Sequence, residues 1–350
     1  MYGLSDQPKP IPFTLFSALR QGSSRYSTPI SRMIEHTFAP VEVAEGILRV
    51  TYPMPMKPGH VHGYLVATDE GYLLVDTGLG LPEMVDRWTA LAPLLERPVT
   101  EILVTHFHPD HVGGTADAVE ATGASVLQGA LDHYQCEKVW GSDAWVPELA
   151  AWFARQGVPP EETAELLEVC SVYRQFVHFV PEARLLREGD EVAGWSVVEF
   201  PGHADGHICL LKDGVLIAGD HLLPRITPAV GLYPDSRPDP LGDFMASLER
   251  VAELAPRLAL PGHGDPIDDP AGRAREIVLH HHERLAETES GLRDGPRSGY
   301  ELSCVLFPGD LGAAQRRFAV AETLSHLERL VVEGRAVRGG DDGYVTYTQP

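Results

Sequence analysis

No stretch of this 350-residue chain is apolar for long enough to cross a bilayer, where a spanning helix needs roughly 20 predominantly apolar residues. No membrane partner is therefore expected. The opening residues, Met1 to Pro10, lack a basic region followed by an apolar one, so no secretory signal is read and the cytoplasm is the expected compartment. Cysteine is scarce. Cys136, Cys170, Cys209 and Cys304 are widely spaced with no Cys-x-x-Cys, which excludes a disulfide framework and a thiolate metal site and predicts buried, inert thiols. Positive charge is scarce relative to negative, with 28 Lys and Arg against 50 Asp and Glu, a formal net charge of −22. From Arg275 to Pro350 there is no lysine, and acids outnumber arginines. Nucleic acids are held mainly by clustered cations on phosphates, so the expected partner is a small-molecule substrate and no nucleic acid.

What is present is a globular composition, 43% hydrophobic and 22% charged, enough for one large core and a smaller domain. Thr105-His106-Phe107-His108-Pro109-Asp110-His111 is its most concentrated chemistry. Three imidazoles and a carboxylate directly follow the strand-like run Glu101-Ile102-Leu103-Val104. If the segment stays extended, His106, His108 and Asp110 point to one side, and His111 follows at the turn into a helix. Imidazole nitrogen and carboxylate oxygen suit Zn²⁺ and its first-row neighbours, and four donors exceed the three that one open catalytic ion takes. Two ions are the natural reading. Further donors come at three places where a short apolar strand breaks at glycine: Pro201-Gly202-His203, Gly219-Asp220 and Pro261-Gly262-His263. Glycine lets the backbone turn sharply there and present the next side chain at a strand's C-terminal edge.

This order of motifs resembles the metallo-β-lactamase fold superfamily over residues 41–272, in particular its glyoxalase II-like and lactonase-like dinuclear hydrolases. The resemblance implies that His106, His108 and His203 hold a first ion, that Asp110, His111 and His263 hold a second, and that Asp220 bridges them. It implies two divalent ions, zinc first, with iron or manganese as alternatives. Tyr72-Leu73-Leu74-Val75-Asp76-Thr77-Gly78 resembles the family's first motif, in which the aspartate, here Asp76, supports the metal loop without binding metal. The implied fold class is α+β, an αβ/βα sandwich with a helical insertion and a small C-terminal winged-helix-like domain.

Residues 1–40 read as a Pro-, Ser- and Gly-rich arm. Between about Gly129 and Pro181 lies a helical insertion rich in aromatics, including Tyr134, Trp140, Trp145, Trp152, Phe153, Tyr173, Phe176 and Phe179. It reads either as a pair of core-packing helices or as a lid over an apolar pocket. Residues 273–350, helices followed by a hairpin turning at Gly339 to Gly343, resemble the winged-helix appendage of some relatives, with packing or homodimerisation as the expected role. His207 reads as positioning or packing, and His280-His281-His282 as helix packing with one of the three near the site. Arg225, Tyr233, His60 and His62 are secondary candidates for the pocket edge.

The expected activity is hydrolysis of a small ester, a thioester of acyl-glutathione or acyl-CoA type, or a lactone. A hydroxide held between the metals is the nucleophile, and Asp110 is the catalytic residue that takes its proton. The competing functions are a metal-dependent phosphodiesterase or ribonuclease, which the charge opposes, and a non-catalytic or redox metal protein. The redox option is opposed by His108, which stands where di-iron electron-transfer relatives carry glutamate.

Overall fold

A computed structural model describes residues 38–340 and 343–350. Most of the N-terminal arm, and Asp341 and Asp342 of the last hairpin turn, lie outside the described residues. The chain begins with β1 (Val41–Ala44), β2 (Ile47–Pro53), β3 (His60–Ala67), β4 (Tyr72–Val75) and α1 (Met84–Leu91). It continues through β5 (Val99–Val104), α2 (Pro109–Val112), α3 (Thr115–Thr122) and β6 (Ser125–Gly129). Three helices then occupy the inserted stretch: α4 (Ala130–Gly141), α5 (Trp145–Arg155) and α6 (Pro160–Arg174). Next come β7 (Arg184–Leu186), β8 (Glu191–Val192), β9 (Trp195–Glu199), β10 (Ile208–Lys212) and β11 (Val215–Gly219), then α7 (Pro240–Leu254) and β12 (Leu258–Pro261). The chain ends with α8 (Pro270–Ser290), α9 (Gly299–Leu306), α10 (Ala313–Val332), β13 (Val337–Gly340) and β14 (Val345–Thr348).

β1 to β7 form one sheet in chain order, antiparallel as far as β4 and parallel from there. A second sheet has the order β12-β11-β10-β9-β8. The alternation of side chains along a strand explains why the two sheets face each other. In β11, Val215 and Ile217 join Leu73, Val75 and Leu103 of the first sheet in one apolar cluster, while Leu216 and Ala218 face Phe244, Leu248 and Val251 of α7 on the outside. The first sheet does the same, with Leu65 and Leu74 turned outward onto Met84 and Trp88 of α1. Both faces are therefore covered, and this is the expected αβ/βα sandwich. The helices on the second sheet start at a repeated signal: Asp239-Pro240 and Asp269-Pro270 place an N-cap carboxylate before a proline at the first helical position. Asp239 accepts from the Gly242 N–H at 2.8 Å and Asp269 from the Gly272 N–H at 2.9 Å.

The inserted helices do not stand apart. Leu149, Phe153 and Leu166 share one apolar cluster with Leu302 of α9 and Val320 and Leu324 of α10. The Tyr300 hydroxyl donates to Glu162, and the Tyr300 N–H to the Gln156 carbonyl at 3.1 Å. The insertion and the C-terminal segment thus form a single packed layer beside the second sheet. α8 runs unbroken through position 272. Cys136, Cys170 and Cys209 are buried free thiols, but Cys304 is only half-buried.

Candidate metal centre

The donors collect at one rim because five strands of the two sheets end there: β4 before Asp76, β5 before His106, β9 before His203, β11 at Asp220 and β12 before His263. The first motif departs from an extended run in one respect. His106 and His108 lie on the loop after β5, but Pro109 opens α2, so Asp110 and His111 are placed by helical phase instead of strand alternation. Asp76 holds this loop down. In a left-handed conformation (φ 60°), its Oδ1 accepts the Thr105 N–H at 2.8 Å, and its Oδ2 accepts both the Thr105 hydroxyl and His111 Nδ1–H at 2.8 Å. Gly262 is a steric requirement, since a Cβ there would lie 2.4 Å from Asp220 Oδ1 and 2.7 Å from His111 Cε1.

All seven expected donors come together. His108 Nδ1 is 3.0 Å from His106 Nε2 and 2.9 Å from His203 Nε2. His263 Nε2 is 3.2 Å from Asp110 Oδ2, and Asp110, His111 and His263 form a second group. Asp220 spans both, with Oδ1 3.4 Å from His111 Nε2 and Oδ2 3.3 Å from His263 Nε2 and 3.8 Å from His203 Nε2.

The hydrogen bonds behind the rings fix which nitrogen is the lone pair. His203 Nδ1–H donates to the Ala229 carbonyl and His263 Nδ1–H to the His60 carbonyl, each at 2.7 Å. Thr105 gives its hydroxyl proton to Asp76 and so accepts from His106 Nδ1–H at 3.0 Å. Lone pairs on His106 and His203 therefore converge on His108, and His111 Nε2 and Asp220 Oδ1 are buried without a hydrogen-bond partner. Two lone pairs converging on one ring nitrogen, beside a buried imidazole nitrogen and a carboxylate oxygen without partners, make an electron-rich pocket suited to a cation. The donor set and its orientation therefore fit divalent metal.

The electrostatics agree. Burial and neighbouring rings, His203 foremost, hold His108 down to about 3, and burial with His111 keeps His106 well below its usual range, so both rings favour the neutral form that a metal ligand needs. Burial disfavours charge on His263 too, but Asp220 and Asp110 outweigh it and push its pKa up to about 10. Burial opposes ionisation of Asp220 as well, yet His263 and His111 keep its carboxyl well below the usual range. This part of the site calls for positive charge.

Other candidates divide. His207 is fully buried, stacks on His106 with centroids 4.7 Å apart, and accepts the Asp220 N–H at 3.2 Å, so it positions a donor. His60 and His62 do not line the cavity: the His60 carbonyl orients His263, and the His62 N–H bonds the Gly262 carbonyl at 2.7 Å. Arg225 points to solvent beside Asp265 although its loop neighbours Leu223 and Ile226 line the cavity, as does Tyr233. None of His280, His281 and His282 reaches the centre, since α8 lies behind α7 and aims His281 at Phe244 and His326. Sequence reasoning missed Asp132 on α4. It is fully buried, its Oδ1 accepts the Phe107 N–H at 2.9 Å between two donor histidines, and Trp140 Nε1–H donates to the Phe107 carbonyl at 2.8 Å. The insertion thereby grips the metal loop.

Above the centre is a cavity of about 370 Å³, within the size range of small-molecule sites. Tyr134, Trp140, Trp145, Tyr173 and Tyr233 line it, with His108, Asp110, His203, Asp220 and His263 at its floor.

Residues 56–263 match the family model "Metallo-beta-lactamase superfamily", and residues 285–350 match "Metallo-beta-lactamase-like, C-terminal domain". The probable metallo-hydrolase YqjP of Bacillus subtilis is 28% identical, over 83% of this chain and 93% of its own length. Among solved structures, a metallo-beta-lactamase family protein of Thermus thermophilus is 35% identical with a TM-score of 0.78, covering 88% of this chain and 100% of that one. A beta-lactamase domain protein of Burkholderia ambifaria is 30% identical with a TM-score of 0.80, covering 90% and 95%. With its sandwich, its seven donors and both family models in register, the chain belongs to the metallo-β-lactamase superfamily and is a metallo-hydrolase of that fold.

Proposed function

We propose that the chain hydrolyses a small carboxylic ester, thioester or lactone with two divalent metal ions. The observation that carries this reading is that the cluster of seven donors lies beneath an aromatic-walled cavity of about 370 Å³, five of them forming its floor. Such a cavity accepts an apolar acyl group. Divalent ions supply Lewis acidity here, activating water and polarising the electrophile. His106, His108 and His203 would hold one ion and Asp110, His111 and His263 the other, with Asp220 placed to reach both. The Asp110 carboxylate, part-exposed toward the cavity, accepts the proton of the attacking water on the oxygen turned away from His263. Tyr134, Trp140 and Trp145 exclude bulk water and hold the acyl chain. The acidic surface argues against phosphodiester polymers as substrates.

The test is a panel of esters, thioesters, lactones, phosphodiesters and single-stranded RNA, assayed with the zinc-, iron- or manganese-loaded protein. Chelator-sensitive turnover of the carbonyl substrates is expected. Turnover confined to phosphodiesters or RNA, and lost in His108→Ala, overturns the reading.

A further inference from the structure

The wall of the cavity carries a cation that the hydrolytic reading leaves unused. Arg317, in the second turn of α10, lines this wall with its guanidinium over the Tyr233 ring at 5.2 Å and over the Phe318 ring at 5.8 Å. Tyr233 is itself stacked on Trp152, with centroids 6.1 Å apart, so the guanidinium lies on a fixed aromatic shelf. Its Nε is buried without a hydrogen-bond partner, and no carboxylate among the described residues comes within ion-pair distance.

This is not for want of acids. Five other arginines of the C-terminal segment, Arg284, Arg297, Arg329, Arg335 and Arg338, each meet a carboxylate. The other cations on the cavity wall are also accounted for. Lys138 pairs with Glu148 and Asp235, Arg174 pairs with Asp143, and Lys57 is exposed to solvent. Glu322 lines the same cavity without pairing with Arg317, and burial raises its pKa. A partly desolvated guanidinium whose five fixed donors lack an acceptor is a receptor for a planar anion.

We infer that Arg317 recognises an anionic group on the substrate, so that the substrate class is an ester or thioester carrying a carboxylate or phosphate away from the scissile carbonyl. This rests on the hydrolytic reading proposed above. Tyr173 and Cys170 line the same cavity as Arg317 and the donors His108, Asp110 and His263. The reacting carbonyl and the anion therefore share one cavity.

The experiment compares three matched substrates on the metal-loaded protein: an acyl chain ending in methyl, the same chain ending in carboxylate, and the methyl-ended chain on a phosphate-bearing leaving group. The wild type is expected to prefer an anionic substrate by about tenfold or more in kcat/KM, chiefly through KM. Whichever arm is preferred shows whether the anion belongs to the acyl group or to the leaving group. In Arg317→Met that ratio should collapse about tenfold, and Arg317→Lys, which keeps the charge but not the fork, should retain part of it. No preference in the wild type, or an unchanged ratio in Arg317→Met with both rates falling together, overturns the inference and leaves Arg317 as packing for Tyr233. Calorimetry with a linear dicarboxylate and the monocarboxylate of equal length reads the same contact without turnover. If tighter dicarboxylate binding is lost in Arg317→Met while no carbonyl substrate reacts, the hydrolytic reading fails and the anion site stands. Equal binding of the two acids with normal turnover fails the anion site alone.

Discussion

Asp220 is the residue on which the two donor groups depend. It is presented at the end of β11, its N–H is held by His207, and its two oxygens face different histidines. Asp220→Ala is therefore expected to strip bound metal and reduce hydrolysis by more than the roughly 10–100-fold that losing a supporting residue costs, with the fold kept. Asp132 provides that supporting-residue comparison. Asp132→Ala leaves the Phe107 N–H and the Gln128 side-chain Nε2–H without their acceptor, and should lower metal affinity about 10–100-fold in a competition titration with a chromophoric chelator. An affinity equal to wild type contradicts its assigned grip on the loop. The donors were legible because their residue types are rare and crowd into six positions or directly follow a glycine. Asp132 and Arg317 were not, because each is an ordinary helical residue whose meaning comes from a contact made across the fold.

At the scale of elements, strand placement and the glycine breaks were readable from apolar runs that end at Gly or Pro-Gly. Periodicity alone did not reveal the helical start at Pro109, which gives Asp110 and His111 their positions. Nor did it settle the insertion. Three helices are present, and they serve both as packing and as cavity wall, since Leu149, Phe153 and Leu166 pack against α9 and α10 while Tyr134, Trp140 and Tyr173 line the cavity. Exchanging residues 129–181 for a short linker would strip an apolar face from the C-terminal helices. A point change separates the two roles better. Tyr134 is largely exposed at the cavity edge, so Tyr134→Ala should change KM or acyl preference while shifting the thermal midpoint little. Leu166→Ala, deep in the shared cluster, should cost about 2–5 kcal/mol of stability. Unchanged KM and acyl preference in Tyr134→Ala, with Leu166→Ala still destabilised in thermal unfolding, makes the insertion packing alone.

At the scale of the whole molecule, charge and buried histidines set the response to solution conditions. His281 on α8 and His326 on α10 meet at 3.3 Å. Burial and then His326 hold His281 down to about 3, and burial holds His326 to about 4. An unfolded histidine protonates near about 6.5, so below that pH the unfolded chain binds protons that the folded chain refuses. Stability is thus expected to be intact above about pH 6.5 and to fall as pH drops toward 4. Urea unfolding should show a smaller acid loss in His281→Met than in wild type, and equal losses contradict the assignment. The net charge of −22 and the scattered C-terminal arginines, five of them paired with acids, also predict no retention on RNA or DNA at physiological salt, where the Debye length is about 8 Å. Metal-dependent RNA cleavage lost in His108→Ala contradicts that expectation.

The most direct measurement is the metal content of the purified, metal-saturated protein by elemental mass spectrometry, wild type beside Asp220→Ala. Two donor groups joined by one carboxylate require close to two ions per chain in the wild type and a clear loss in the variant. A wild type that never exceeds one ion, or a variant that keeps the full complement together with full turnover, contradicts the dinuclear centre.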